Sequence, residues 1–79
     1  MFDLVKERAK LKLPLFVIYD HPSDHPQRFV ARLWDLNRPT EVHETAETLE
    51  ELHAKLPLDG MVWVDRYVHD DPTIVGTWV

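Results

Sequence analysis

Cysteine is missing from this sequence of 79 residues, and glycine occurs only twice. Without cysteine there is no disulfide framework, no thiolate zinc site, no iron–sulfur centre and no cysteine nucleophile. Glycine at positions 60 and 76 alone cannot build the glycine-rich loop that cradles phosphate groups. No apolar run approaches the roughly 20 residues of a membrane-spanning helix. These absences exclude several classes of catalytic and cofactor site.

The composition is that of one small folded domain. Hydrophobic residues make up 44% of the chain and aromatic residues 10%, which is too much apolar surface for a disordered segment. The first twelve residues carry charges without an apolar signal core after them. We therefore expect a cytoplasmic protein that needs no cofactor.

Basic residues are scarce over most of the chain. Nine basic and fourteen acidic residues give a net charge of −5, and residues 41–51 hold five glutamates and no lysine or arginine. Four basic and two acidic residues lie in residues 1–12, so the net charge of this segment is +2 and the net charge of the remainder is −7. Direct binding to nucleic acid or to an anionic membrane needs clustered Lys and Arg, so neither is expected. An acidic surface suits a protein partner with a basic surface.

Hydrophobic patterning predicts an α+β fold in a single domain. Residues 1–13 form a basic N-terminal segment, predicted to be a short helix that ends before Pro14. Residues 14–79 form a β-β-α-β-β body, with a four-stranded, mostly antiparallel sheet and one main helix between two hairpins. The strands are predicted at 15–19, 28–36, 61–68 and 73–79, with a short extended piece at 40–43.

The main helix is predicted to start after Thr45 as its N-cap. Its apolar stripe consists of Ala46, Leu49, Leu52 and Leu56. The residues expected to be buried between the sheet and this helix are Phe16, Trp34, Leu49, Leu52, Trp63 and Val64.

The predicted strands are apolar on both faces, whereas a solvated sheet face should be polar. One helix covers only one face of a small sheet. The second face therefore needs a cover, and three are open at this point: the N-terminal helix, a second copy of the chain in a homodimer, or a partner protein.

One loop is rich in potential metal ligands. It runs from Asp20 to His25, and the turn at His69 would lie near it. Histidine and carboxylate suit zinc, manganese or iron. The alternative metal set is His21, Asp24, His25 and His69. Its spacing matches no defined signature, and Asp and Ser before Pro are ordinary turn residues, so we expect no metal and no catalytic residue.

An aromatic-basic platform is a further alternative for the tryptophans. Such a platform, formed by Arg32, Trp34, Trp63 and Trp78, would stack single-stranded nucleic acid. Tryptophans in the strands of a tiny protein more often form the core. The net negative charge of the chain also favours the interpretation that the tryptophans are core residues and do not bind nucleic acid.

Three segments carry a resemblance. Residues 16–26 with 29–32, residues 45–52 with Leu56 and Pro57, and residues 70–75 with Trp78 resemble a family of small uncharacterised bacterial and phage proteins. The resemblance covers about residues 15–79 and implies a shared fold without a known activity. The helix segment is faintly similar to the HicB antitoxin family. In size and acidity the chain is similar to phage-borne inhibitors of host defence of the anti-CRISPR type.

Together these observations predict a small, acidic, non-enzymatic protein-binding module. It would dock on a basic, nucleic-acid-binding surface of a host effector, as a phage-type inhibitor does. The predicted contact residues are Glu44, Glu47, Glu50 and Glu51. The alternatives are a small metal- or ligand-binding, enzyme-like domain that uses the Asp20–His25 loop, and a HicB-like antitoxin fragment.

Overall fold

The fold is α+β, as predicted, with two short helices on an antiparallel sheet. The structure is a computed structural model that describes residues 3–67 and 71–79. In those residues the elements are α1 (Leu4–Ala9), β1 (Pro14–Asp20), β2 (Phe29–Asp35), β3 (Arg38–Ala46), α2 (Leu49–Ala54), β4 (Trp63–Asp65) and β5 (Ile74–Trp78). The strand order across the sheet is β3-β2-β1-β5-β4.

The sheet has a fifth strand where the sequence pattern predicted only a short extended piece outside a four-stranded sheet. Residues 40–43 belong to a nine-residue edge strand, β3, which pairs antiparallel with β2 at both of its ends, with a shift of register between Arg32 and Trp34 of β2. Val42 and Ala46 are its two buried residues. Because positions 42 and 46 are an even number apart, both point to the core from an extended strand. The assignment of Ala46 to a helical stripe was therefore wrong.

The main helix starts three residues later than predicted. Thr48, and not Thr45, is the N-cap of α2, and its Oγ1 accepts a hydrogen bond of 3.1 Å from the Glu51 backbone N–H. The third predicted strand is also shorter, since β4 covers only Trp63–Asp65. The predicted strand end at residue 68 and the turn residues 69–70 lie outside the described residues.

Both helices lie on one face of the sheet. The β1–β2 register places Phe16 opposite Leu33 and Ile18 opposite Ala31 on this face. Buried apolar side chains form one cluster there: Leu4, Phe16, Ile18, Ala31, Leu33, Val42, Ala46, Leu52 and Leu56. Leu4 joins the cluster from α1, so the N-terminal helix does not cover the second face.

The core prediction holds for four of its six residues. Phe16 and Leu52 are fully buried, and Leu49 and Trp63 are half-buried against the core cluster. Trp34 and Val64 lie on the opposite face, because Trp34 pairs with Leu15 and Val64 with Thr77 in the alternating register. Burial of these two residues under the helix was a wrong prediction.

No helix in residues 3–67 or 71–79 has the length and apolar character needed to cross a membrane.

Candidate protein-binding surfaces

Three glutamates form what we call the acidic surface. Glu47 precedes α2, and Glu50 and Glu51 lie in its first turn. All three are exposed. They face solvent because the opposite side of the helix directs Leu52 into the core. Carboxylates in the first turn also interact favourably with the helix dipole.

The fourth predicted contact residue, Glu44, is placed differently. It lies on β3 and is half-buried, and its Oε1 is 3.9 Å from Lys55 Nζ. Lys55 Nζ also donates a hydrogen bond of 3.0 Å to the Thr45 carbonyl. Lys55 is therefore directed toward β3 and away from the acidic surface, and Glu44 is partly neutralised by it.

The histidine-rich loop does not assemble its predicted metal set. His21 Nδ1 contacts Asp20 Oδ1, Asp24 Oδ2 lies 3.5 Å from Arg32 Nη2, and the His25 ring is 5.5 Å from the His43 ring. His21, Asp24 and His25 thus have three separate neighbours, and His69 lies outside the described residues. In the described part of the chain, no three His, Asp or Glu side chains are grouped to hold a metal ion.

This loop instead folds over part of the second sheet face. It borders an open cleft of about 410 Å³ lined by Tyr19, Pro22, Ser23, Asp24, Val30 and Arg32. Val30 is only 1% exposed although no helix lies above it. Burial raises the pKa of the Tyr19 hydroxyl. The loop is a cover for this face that the sequence analysis did not consider.

The rest of the second face is open, and we call its uncovered part the apolar end. The backbone of Val62 exchanges hydrogen bonds of 2.7 and 2.9 Å with that of Val79, which extends the β4–β5 pairing. Leu36 N–H donates a hydrogen bond of 2.9 Å to the Leu13 carbonyl, which extends the β1–β2 pairing. The apolar end consists of Leu13, Leu15, Trp34, Val62, Val64 and Val79, together with Leu36 in the adjoining turn between β2 and β3.

The tryptophans do not form the aromatic-basic platform. Trp63 and Trp78 lie on the helix side, with ring centroids 5.2 Å apart, whereas Arg32 and Trp34 lie on the other face. The two rings contact His53 of α2 at 5.6 and 5.5 Å. Burial lowers the pKa of His53. The sequence pattern does not reveal this role of His53, because only the sheet register brings the two tryptophans together under it.

The two edges of the sheet offer little to an added strand. On β3, the Glu41 carbonyl oxygen is 2.8 Å from His43 Nδ1, and the Thr45 N–H donates a hydrogen bond of 3.1 Å to Glu44 Oε1. The Thr45 carbonyl accepts from Lys55, as described above. The opposite edge strand, β4, has three residues. Side-chain contacts to the backbone and short edge strands are both devices that limit strand addition.

No family model, no curated protein and no solved structure matches this chain. The resemblance to a family of small bacterial and phage proteins, carried by the three segments described above, therefore stays a prediction.

Proposed function

We propose that this chain is a small, non-enzymatic protein-binding module of the cytoplasm that docks its acidic surface on a basic surface of another protein. The observation that carries the proposal is the arrangement around α2. Glu47, Glu50 and Glu51 are exposed at the start of α2, while Lys55, the lysine that caps the end of this helix, is directed to the Thr45 carbonyl. The three carboxylates thus stand without a neutralising neighbour on their own helix.

Electrostatics defines the partner. A surface of three carboxylates on a chain of net charge −5 repels nucleic acid and attracts clustered Lys and Arg. Exposed charges of this kind act mainly on the rate of association, which falls when salt shortens the screening length to about 10 Å at 0.1 M.

Basic surfaces of this kind occur on proteins that bind nucleic acid. A carboxylate surface that occupies the Lys and Arg side chains excludes phosphate groups from the same place. We therefore propose an inhibitor of the anti-CRISPR type, which competes with nucleic acid for a host effector. Capture of the partner should then be reversed by added nucleic acid.

The test is capture of proteins from a cell extract on the immobilised chain, followed by association kinetics with each captured protein. We expect Glu47→Lys/Glu50→Lys to lower the association rate roughly tenfold or more at low salt. We also expect the difference between this variant and the unaltered chain to shrink as salt is raised.

The matched control is Glu41→Lys/Asp59→Lys, which changes the net charge by the same amount at two exposed residues outside the acidic surface. Thermal unfolding verifies that both double variants are folded. The proposal is wrong if the two variants slow association equally, or if binding and its salt dependence survive in Glu47→Lys/Glu50→Lys.

A further inference from the structure

The exposed apolar side chains of this protein are not scattered. Large apolar residues are exposed at seven positions in the described part of the chain, and five of them belong to the apolar end. These five are Leu13, Leu36, Val62, Val64 and Val79. Isolated exposed apolar residues are normal, but a contiguous group on one face marks an association surface.

The same face carries little net charge. At its centre Arg32 faces Asp24 at 3.5 Å and also donates a hydrogen bond of 2.9 Å to the Thr40 carbonyl. The three carboxylates of the acidic surface lie on the helix side of the sheet. A chain of net charge −5 therefore meets least repulsion from its own copy on this face.

The dimensions of the molecule allow an interface at the small end of the usual range. Its two longer extents are 28 and 27 Å, so a second copy on this face buries at most about 750 Å² of each chain, near the roughly 800 Å² per partner of a stable interface. The loop over Tyr19 and Val30 reduces the flat area available. Affinity varies widely at a given interface area, but interfaces at the small end of the range are commonly weak and transient, so we expect a dissociation constant of about micromolar or weaker.

We infer that this chain forms a symmetric homodimer in which the apolar ends of two copies pack against each other, sheet face on sheet face. Two-fold dimers are the commonest closed assemblies, and a neutral apolar surface is self-complementary. The side-chain contacts along β3 disfavour a dimer built by pairing of sheet edges. The acidic surfaces of the two copies then point outward on opposite sides.

The experiment is sedimentation velocity of the full chain from about 5 to about 500 μM. We expect the unaltered chain to pass from monomer to dimer over this range. Val62→Lys/Val64→Lys should raise the dissociation constant at least tenfold, because both side chains are exposed in the monomer and would bring charges into the interface. Amide NMR shifts that change with concentration should map to Leu15, Trp34 and Val64 and spare α2.

The matched control is Val5→Lys. Val5 is as exposed as Val62, at 65% against 64%, but it lies on α1, on the helix side of the sheet. All these substitutions make the chain less negative, so weaker dimerisation in the double variant cannot come from greater overall repulsion. The inference is overturned by a monomer at every concentration, or by a dimer that Val5→Lys disrupts and Val62→Lys/Val64→Lys does not.

Salt separates this inference from the proposed function. Added salt screens the repulsion between two acidic copies and so strengthens the dimer, whereas it weakens docking on a basic partner. Failure of one experiment leaves the other unaffected, because the two surfaces lie on opposite sides of the sheet.

Discussion

At the scale of single residues, Gly76 has a role that the sequence does not reveal. It lies on β5 beneath the Trp63 ring, and a methyl group added there would lie 2.5 Å from Cη2 and 2.8 Å from Cε2. Both distances are far below van der Waals contact, and the ring is held by Trp78 and His53. We expect Gly76→Ala to lower the free energy of unfolding by roughly 1–3 kcal/mol, the usual cost of overpacking, as measured by urea denaturation.

A double-mutant cycle checks the cause. In a Trp63→Leu background the ring is gone, so Gly76→Ala should cost much less than it does in the unaltered chain. Equal costs in the two backgrounds would contradict steric exclusion by Trp63.

His53 is a second single residue with a measurable effect, because its burial makes the free energy of unfolding depend on pH. Burial lowers its pKa in the folded state below the ordinary value of 6.5, so the unfolded chain binds this proton more tightly. As pH falls below about 6.5, protonation of His53 favours unfolding, and the loss of stability levels off below the folded-state pKa. Well above 6.5 the group has no effect on stability, because it is then neutral in both states.

The measurement is the free energy of unfolding between about pH 7.5 and pH 5. His53→Leu should show a shallower decline than the unaltered chain over this range. His25→Asn is the control, because it removes a histidine of the loop and leaves His53 in place. An unchanged slope in His53→Leu would show that His53 does not contribute.

At the scale of elements, α2 packs on the core mainly through one side chain, that of Leu52. Leu52 is fully buried, whereas Leu49 is half-buried at the start of the helix. We expect Leu52→Ala to lower the free energy of unfolding by roughly 2–5 kcal/mol and Leu49→Ala by less. Thermal or urea unfolding measures both, with Glu50→Ala as an exposed control on the same helix. A Leu49→Ala variant less stable than Leu52→Ala would contradict the observed orientation of α2.

The boundary between β3 and α2 shows why part of this element was mispredicted. Ala46, Leu49 and Leu52 follow a helical spacing, but Ala46 reaches the core from a strand. When a strand and the helix that follows it both pack side chains into the same core, their apolar positions can resemble one continuous helical stripe in the sequence. The Thr48 cap marks where the backbone changes, since its side chain accepts a hydrogen bond from the Glu51 N–H. Thr45 and Thr48 are equally good capping residues, and only pairing with β2 decides between them.

At the scale of the whole molecule, the sheet divides two kinds of surface. One side has both helices and the acidic surface, and the other has the apolar end and the loop that covers Val30. Arg8 joins α1 to the segment after α2 through hydrogen bonds to the Pro57 carbonyl at 2.6 Å and the Asp59 carbonyl at 3.3 Å. The basic N-terminal segment thus has a structural use on the helix side, and the second face is left to the loop and, in the dimer that we infer, to a second copy.

The sequence by itself determined the α+β class, the β1–β2 hairpin and the acidic character of the helix. These follow from local properties: β-branched runs, turn residues such as Pro22 and Ser23, and five glutamates without a lysine or arginine in residues 41–51. Tertiary structure alone decided which face each apolar strand residue occupies, because residues such as Trp34 and Val64 look alike on either face until the strands pair. It also decided that Lys55 points toward Glu44 and that the loop covers Val30, because contacts between residues distant in sequence depend on the register of the sheet and the packing of the helix.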